Sequence, residues 1–472
     1  MKPARILWRC SVLLLCATLI SAAFGAPVTA QQPQTADSAA LLRQAATLLQ
    51  AGRPDEAEPL VRRALAAAPR NADAHNLLGV ILDQRGQPQE AERAYRAALQ
   101  FNPSSVSARA NLGVLLARTG RTDQAIETFE AVLRLAPGHP QATANLGVEY
   151  ARRGNYDKAL PLLRQARALR PDAYEIVFNL GVALHHLNQA DEAEAAFTAA
   201  SALAPAAADP VYYLGLLALA RGQDEAAGEL FEKALSLRPN FAEANFMLGE
   251  LLRKHQRLEA ARDFYERALV QAPDKLVHYV RLGGVQMLLL QYDQALELFR
   301  QAARRFPRQA EAHYFVGIAA RGKGAYDVAE AALRQSLALQ ADNADTLAQL
   351  GFIVGERGNY AEAEQFLRRA LSLNDRHFYA GYNLGRLLVK TKRYDEALTV
   401  LQRSATLRPQ HAGTHYQQFL ALSRLSRRDE AERELALYKR LEEENRTRRY
   451  ADEDIENPDL SPATQPPRRN PQ

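Results

Sequence analysis

Residues 208–241 read ADPVYYLGLLALARGQDEAAGELFEKALSLRPNF, and this 34-residue stretch decides the fold. Gly215 is its eighth residue. Glycine returns every 34 residues on both sides of it, at Gly79, Gly113, Gly147, Gly181, Gly249, Gly283, Gly317, Gly351 and Gly385. A fixed period of this length marks a chain built by stacking one supersecondary unit. Phased on these glycines, the sequence holds twelve units of 34 residues over 38–445. Position 20 of the unit is alanine in all twelve, from Ala57 to Ala431, and position 32 is proline in nine. The first and last units carry Ala45 and Phe419 in place of the glycine, as expected where an outer face meets water.

Within a unit, apolar and small residues fall at positions 4, 7, 8 and 11 and again at 20, 24, 27 and 28. Each set is the i, i+3, i+4, i+7 pattern of an amphipathic helix. Between them, position 15 is Gly52, Gly86, Gly120, Gly154, Gly222, Gly324 or Gly358, with Asn188 in one unit, residues that tolerate a left-handed helix end. Three positions on comes an acid such as Asp123, Asp157, Asp293 or Asp395, expected to cap and charge the next helix. Proline at 32 stops the second helix. Small residues at 8, 20 and 27 let two backbones approach, and larger ones at 24 (Tyr95, Phe129, Phe197, Phe231, Tyr265, Phe299) fill the seam. The predicted fold class is all-α: a solenoid of about twelve helical hairpins.

The 34-residue hairpin with small residues at 8, 20 and 27 resembles the tetratricopeptide repeat (TPR) family, over 38–445. The chain lacks that family's tryptophan at position 4, where Leu41, His75, Arg109, Val177 and Asn245 stand. The resemblance implies a right-handed superhelix whose concave groove is lined by the first helix of each pair and binds peptides or partner proteins. One form of the family clamps a terminal carboxylate with Lys at 5 and Asn at 9 of one repeat. No unit here has that pair.

The ends read differently. Lys2, Arg5 and Arg9 precede an apolar run from Cys10 to Phe24 and then Val28-Thr29-Ala30, the pattern of a signal peptide over 1–30, cut before Gln31. The apolar run is shorter than the ~20 residues of a spanning helix. If the leader stays uncleaved, it is the chain's only expected link to a membrane. Both cysteines, Cys10 and Cys16, lie in it, so the mature chain would hold neither disulfide nor thiolate site. Residues 1–30 also carry three basic and no acidic side chains, so their loss takes the formal net charge from +5 to +2. That near-neutral balance gives no argument for nucleic acid. Residues 31–37 read as a linker. Residues 446–472, rich in charge and proline and poor in large apolar side chains, read as a disordered tail.

Binding is expected on the remaining face of the first helix, positions 2, 5, 6, 9, 12 and 13. Position 5 is aromatic in Phe178, Tyr212, Phe246, Tyr314, Tyr382 and Tyr416, and position 6 adds Tyr213 and Phe315 with Asn111, Asn145, Asn179 and Asn383. Two readings stand. Either the rings form a stacking surface for an extended peptide whose backbone the asparagines bond, or they pack against neighbouring helices. Acids at position 2 (Glu175, Asp209, Glu243, Glu311, Asp345) and bases at 12 and 13 (Arg152, Lys254, Arg321, Lys390) would charge the two edges oppositely, as the helix dipole also rewards. His411 and His415 share a helix face but lack the further ligands of a zinc site. Gly322-Lys323-Gly324 falls on an interhelix turn and is no phosphate loop. These features predict an exported, periplasmic or secreted, non-catalytic scaffold for a protein or peptide partner, with no cofactor and no metal. The alternatives are an adaptor in a cell-envelope machine and an accessory to protein glycosylation.

Overall fold

A computed structural model describes residues 33–448, so the leader read over 1–30 and the tail beyond Arg448 lie outside the described residues. Twenty-four α-helices, and no strand, make up the described chain. It divides into two compact units, up to Lys233 and from Ala234 on. Each is a stack of helical hairpins, and the whole is an all-α repeat solenoid.

The first helices of the hairpins occupy positions 1–13. In the first unit they are α1 (Pro33–Gln50), α3 (Ala72–Gln84), α5 (Val106–Arg118), α7 (Pro140–Arg152), α9 (Tyr174–His186) and α11 (Ala208–Ala220). In the second they are α13 (Ala242–Lys254), α15 (Leu276–Leu288), α17 (Ala310–Gly322), α19 (Ala344–Glu356), α21 (Phe378–Lys390) and α23 (Ala412–Arg424). The even-numbered helices, among them α2 (Pro54–Ala67) and α16 (Tyr292–Arg305), occupy positions 17–30, and α24 (Arg428–Arg448) ends the series. Helix α1 begins inside the segment read as a linker, and α24 carries three residues of the segment read as a tail.

The turn between paired helices forms for a local reason. Position 15 is left-handed in every repeat, and the amide after it bonds back to the carbonyl of position 11, as Gln87 N does to Leu82 O at 2.9 Å. That six-residue closure satisfies carbonyls that the helix end leaves open. Glycine suits it, yet Gln256, Leu290, Lys392 and Ser426 adopt the same conformation with φ of 58°, 60°, 63° and 60°. The stack dictates the turn even where the sequence resists it.

The expected role of the acids at position 18 is corrected. Asp123, Asp157, Asp293 and Asp395 sit inside the first helical turn, while the residues before the helices, Arg121, Asn155, Gln291 and Arg393, make no side-chain cap bond. The acids charge the first turn without capping it, and where position 14 of the next repeat is basic the acid reaches that base: Arg85–Asp55 at 3.0 Å, Arg221–Asp191 at 2.8 Å, Arg357–Asp327 at 2.6 Å, with Arg153–Asp123 and Lys323–Asp293 alike. Such exposed pairs contribute about 0–1 kcal/mol each. Side-chain caps occur at the other helix start, from position 34: Asn71, Ser105, His139, Asn343, His377 and His411 accept from the third amide on.

The seam follows the sequence reading. A Cβ built on Gly79, Gly113, Gly181, Gly215, Gly249 or Gly283 would stand within 2.7 Å of a ring atom of the aromatic residue sixteen positions later. The partners of Gly147, Gly317, Gly351 and Gly385 are leucines, Leu163, Leu333, Leu367 and Leu401. The buried face is wider than four positions. Position 3 (Ile176, Ala244, Ala312, Ala380) and position 10 (Leu115, Ala183, Val285, Ile353) are buried too, because each first helix packs on the repeat before and the repeat after.

Candidate functional site

Within each unit, consecutive odd-numbered helices touch: α1–α3–α5–α7–α9 in the first and α15–α17–α19–α21–α23 in the second. Among the described residues no pair of consecutive even-numbered helices makes comparable contact. The odd helices therefore lie on the inside of each unit's curve, and positions 2, 5, 6, 9, 12 and 13 are the side chains available to an inner face.

Where do the predicted rings sit on that face? In the first unit, Phe178 and Tyr212 lean on the seam rings of their own repeats, Phe197 at 6.0 Å and Phe231 at 5.8 Å. Tyr213 stacks on the previous repeat's Phe197 at 4.8 Å and meets Phe178 edge-on at 5.8 Å. In the second unit, Phe246 leans on Tyr265 at 5.7 Å and Phe315 stacks on Phe299 at 5.2 Å. Where the seam residue is aromatic, a ring at 5 leans on its own seam and a ring at 6 on the preceding one. Ring pairs of this kind add ~0.5–1.5 kcal/mol beyond area burial.

This packing corrects the expectation of a continuous stacking surface. Phe178 and Tyr382 are only 6% and 5% exposed, so neither is displayed. Tyr212, Tyr213, Phe246, Tyr314 and Phe315 are half-buried, each presenting an edge, and Tyr416, at 37%, is the exposed member beside Tyr438 at 5.0 Å. Burial pushes the Tyr314 hydroxyl well above its usual ionisation range, so it stays a neutral donor.

The asparagines divide in the same way. Asn179 is buried, and its Nδ2 donates to the Glu175 carbonyl at 2.7 Å. Asn111 donates to Asn76 Oδ1 at 3.0 Å across the repeat boundary. Burial withdraws Asn179 from the peptide-bonding role, while Asn111 stays half-buried with one of its N–H groups committed to the preceding repeat. Asn145 and Asn383 are half-buried on the inner face. Asn383 borders a small crevice with Phe352, Gly355, Arg386 and Lys390.

Charge is largely internal. Arg152 bonds Glu149 at 2.7 Å, and burial raises that carboxyl's pKa. Arg321, expected on an exposed edge, is 4% exposed, donates to Gln349 Oε1 at 2.7 Å and lies 5.4 Å from the Phe352 ring centre. It is a packed cation. Arg386 also lies 4.9 Å from the Phe352 ring centre and bonds Glu356 at 2.7 Å. Lys254 and Lys390 are exposed, the latter over Tyr360 at 5.1 Å. On the acidic edge, Glu243 meets Lys275 at 2.8 Å and Asp345 meets His377 at 3.0 Å, both partners being at position 34. The hydrogen bond from His377 is the main reason the Asp345 carboxyl titrates below its usual range.

His411 and His415 part company. His411 is the cap of α23, accepting from Thr414 N, while His415 bonds Glu434 at 2.7 Å and the Pro409 carbonyl at 2.8 Å. Among the described residues no group of three or more His, Cys, Asp or Glu is placed to hold a metal ion.

A tetratricopeptide-repeat family model matches residues 42–106, 82–140, 145–208, 187–240 and 289–344. A second, of the same description, matches 218–282 and 356–423. No curated protein matches the chain. Among solved structures it is similar to MamA from Desulfovibrio magneticus RS-1, at 25% identity over 36% of this chain and 96% of that one, TM-score 0.34. It is also similar to YrrB, a TPR protein with an unusual peptide-binding site, at 22% identity over 40% and 97%, TM-score 0.33. The APC/C hetero-tetramer Cut9–Hcn1 follows at 15% identity over 86% and 93%, TM-score 0.46. The repeat phase, the hairpin geometry and the matched segments agree: the chain belongs to the tetratricopeptide-repeat family.

Proposed function

We propose that this protein is a non-catalytic scaffold, exported after removal of residues 1–30, that holds a protein or peptide partner against the inner faces of its odd-numbered helices. The observation that carries this reading is the one-sided contact between odd helices, which sets Tyr314 and Phe315 of α17 and Tyr416 of α23 on an inner face where they are half-buried or exposed; the same repeat positions hold the half-buried Tyr212, Tyr213 and Phe246. Half-buried tyrosines present a rigid, amphipathic contact area, the kind of residue that anchors interfaces. Because most of the rings also hold the seam, replacing them would confuse binding with stability. The exposed bases are the cleaner lever.

The test is capture of partners from a cell-envelope fraction by the exported chain, whose intact mass should begin near Gln31. Wild type is compared with a Lys254→Glu, Lys390→Glu, Arg424→Glu variant of unchanged helicity, Arg424 being the exposed base at position 13 of the last repeat. At least a tenfold loss of the captured partner is expected. Full capture by the variant would remove the inner face from the reading.

A further inference from the structure

At position 28 the second helix of a hairpin packs a half-buried leucine against the core, as Leu65, Leu99, Leu133, Leu269, Leu337 and Leu371 do. The fourth repeat breaks that pattern. It places Arg167 there, on α8 (Tyr156–Leu169). Beside Arg167 lies an open cleft of about 460 Å³, walled by α8 and α10 (Ala190–Leu203) and floored by α9. Leu180 and Leu184 of α9 are its buried lining, and Ala168 and Ala195 on the two walls are exposed and add little bulk. The lining positions, 7, 11, 19, 22, 25, 28, 29 and 32 of their repeats, are none of those on the inner face.

Three charged side chains border the cleft: Arg164, Arg167 and Glu192. Two of them are committed to each other, Arg164 Nη2 donating to Glu192 Oε2 at 2.7 Å and to Gln189 Oε1 at 3.2 Å. Arg167 is half-buried and, among the described residues, has neither a hydrogen-bond nor an ion-pair partner. Its guanidinium is a fixed fork of donors that matches a carboxylate with two parallel bonds. The cleft thus offers an apolar floor and one uncommitted positive charge. Concave sites of about 300–1,000 Å³ with this kind of lining are the size of small-molecule sites. A second negative charge on the ligand would find no second free cation and would face Glu192, so the charge balance selects a monoanion over a phosphate dianion or a dicarboxylate. An extended peptide turns neighbouring side chains to opposite faces, so an internal acid and its apolar neighbour would not enter together. A small acid carries both on one short frame.

We propose that the cleft between α8 and α10 is a binding site for a small monocarboxylate with a branched-alkyl or aryl body. Its carboxylate lies on Arg167 and its body on Leu180, Leu184, Ala168 and Ala195. The site is separate from the inner face, and neither reading depends on the other.

Titration of the full chain with 3-phenylpropionate, followed by NMR of isotope-labelled alanine and leucine methyls, tests the assignment. Saturable shifts are expected at Ala168, Ala195, Leu180 and Leu184. 3-Phenylpropionamide and 3-phenylpropylammonium keep the ring without the negative charge, and acetate keeps the charge without the ring. Each should bind at least tenfold more weakly. Arg167→Leu installs the residue that six other repeats pack at this position, so the fold should stand while affinity for 3-phenylpropionate falls at least tenfold. Arg167→Gln removes the charge at similar length and gives the same reading if the leucine variant loses helicity. Equal binding of acid and amide, affinity that survives the substitutions, or no saturable shift at the cleft methyls overturns the assignment. If an end-blocked Gly-Asp-Leu-Gly peptide saturates the same methyls more tightly than the free acid, the cleft belongs to a protein partner and the small-molecule assignment falls.

Discussion

The seam between paired helices makes a sharp prediction at Gly283, with Gly284 as its internal control. Alanine at either position gains the same ~1 kcal/mol of helix propensity over glycine. Only at 283 does the added methyl meet an obstacle. It would stand 2.2, 2.6 and 2.8 Å from three atoms of the Phe299 ring, where ordinary contact begins at 3.4 Å. The ring must therefore retreat by roughly 1 Å or more, in keeping with the tolerances of a close-packed interior. It is fully buried, with Phe315 of the next repeat stacked on it at 5.2 Å, so the retreat is passed to a second side chain. Overpacking of this kind costs ~1–3 kcal/mol. Because propensity cancels between the two variants, Gly283→Ala should be less stable than Gly284→Ala by about that amount. Urea unfolding gives the global difference. Hydrogen exchange resolved to α15 and α16 gives the local one, which matters because repeat stacks open by neighbouring units. Equal stability of the two variants within about 0.5 kcal/mol would refute the seam reasoning.

Two further outcomes follow from single residues. Leu290 holds a left-handed turn at φ 60° while 70% exposed, so it contributes strain and little burial. Leu290→Gly removes ~1–2 kcal/mol of strain and adds ~0.4–1 kcal/mol of unfolded-state entropy, for a net gain of about 0.5–1 kcal/mol; a lower urea midpoint would contradict this. His411 is pushed down to about 4, first by burial and then by Arg408 and His415, and its neutral Nδ1 accepts from Thr414 N. A depressed histidine leaves the unfolded chain binding the extra proton, so its contribution is intact above about pH 6.5 and lost as pH falls toward 4. Wild type should then lose up to about 3 kcal/mol more than His411→Asn over that window. Asparagine keeps the cap without the titration, as Asn71 and Asn343 do in their own repeats. His415 has the opposite sign, since its hydrogen bond to Glu434 raises it, and it is common to both chains. Parallel pH profiles of the urea midpoint would refute the assignment to His411.

The architecture was legible in the sequence because the seam admits no substitute. Gly215 beneath Phe231 leaves no room for a methyl, and a glycine stands at that position in the ten inner repeats, so period and phase are written openly. What stayed hidden was whatever depends on two repeats at once. Position 10 was in neither the packing set nor the inner face read from one unit, yet Leu115 and Ile353 are buried there. Tyr213 looked like a groove residue because the ring it covers, Phe197, belongs to the previous unit. Asp123 looked like a cap because its cation, Arg153, stands one period away. A signal for these pairings was present, in the recurrence of bases at 14 and acids at 18, but it reads only across a repeat boundary. The same distinction explains why Gly284 is informative. A glycine that the period demands says how the stack is built, and Gly283 is of that kind. Gly284 is off the period and touches nothing. The stack requires the first glycine and not the second, which is why the pair can test the seam against helix propensity alone.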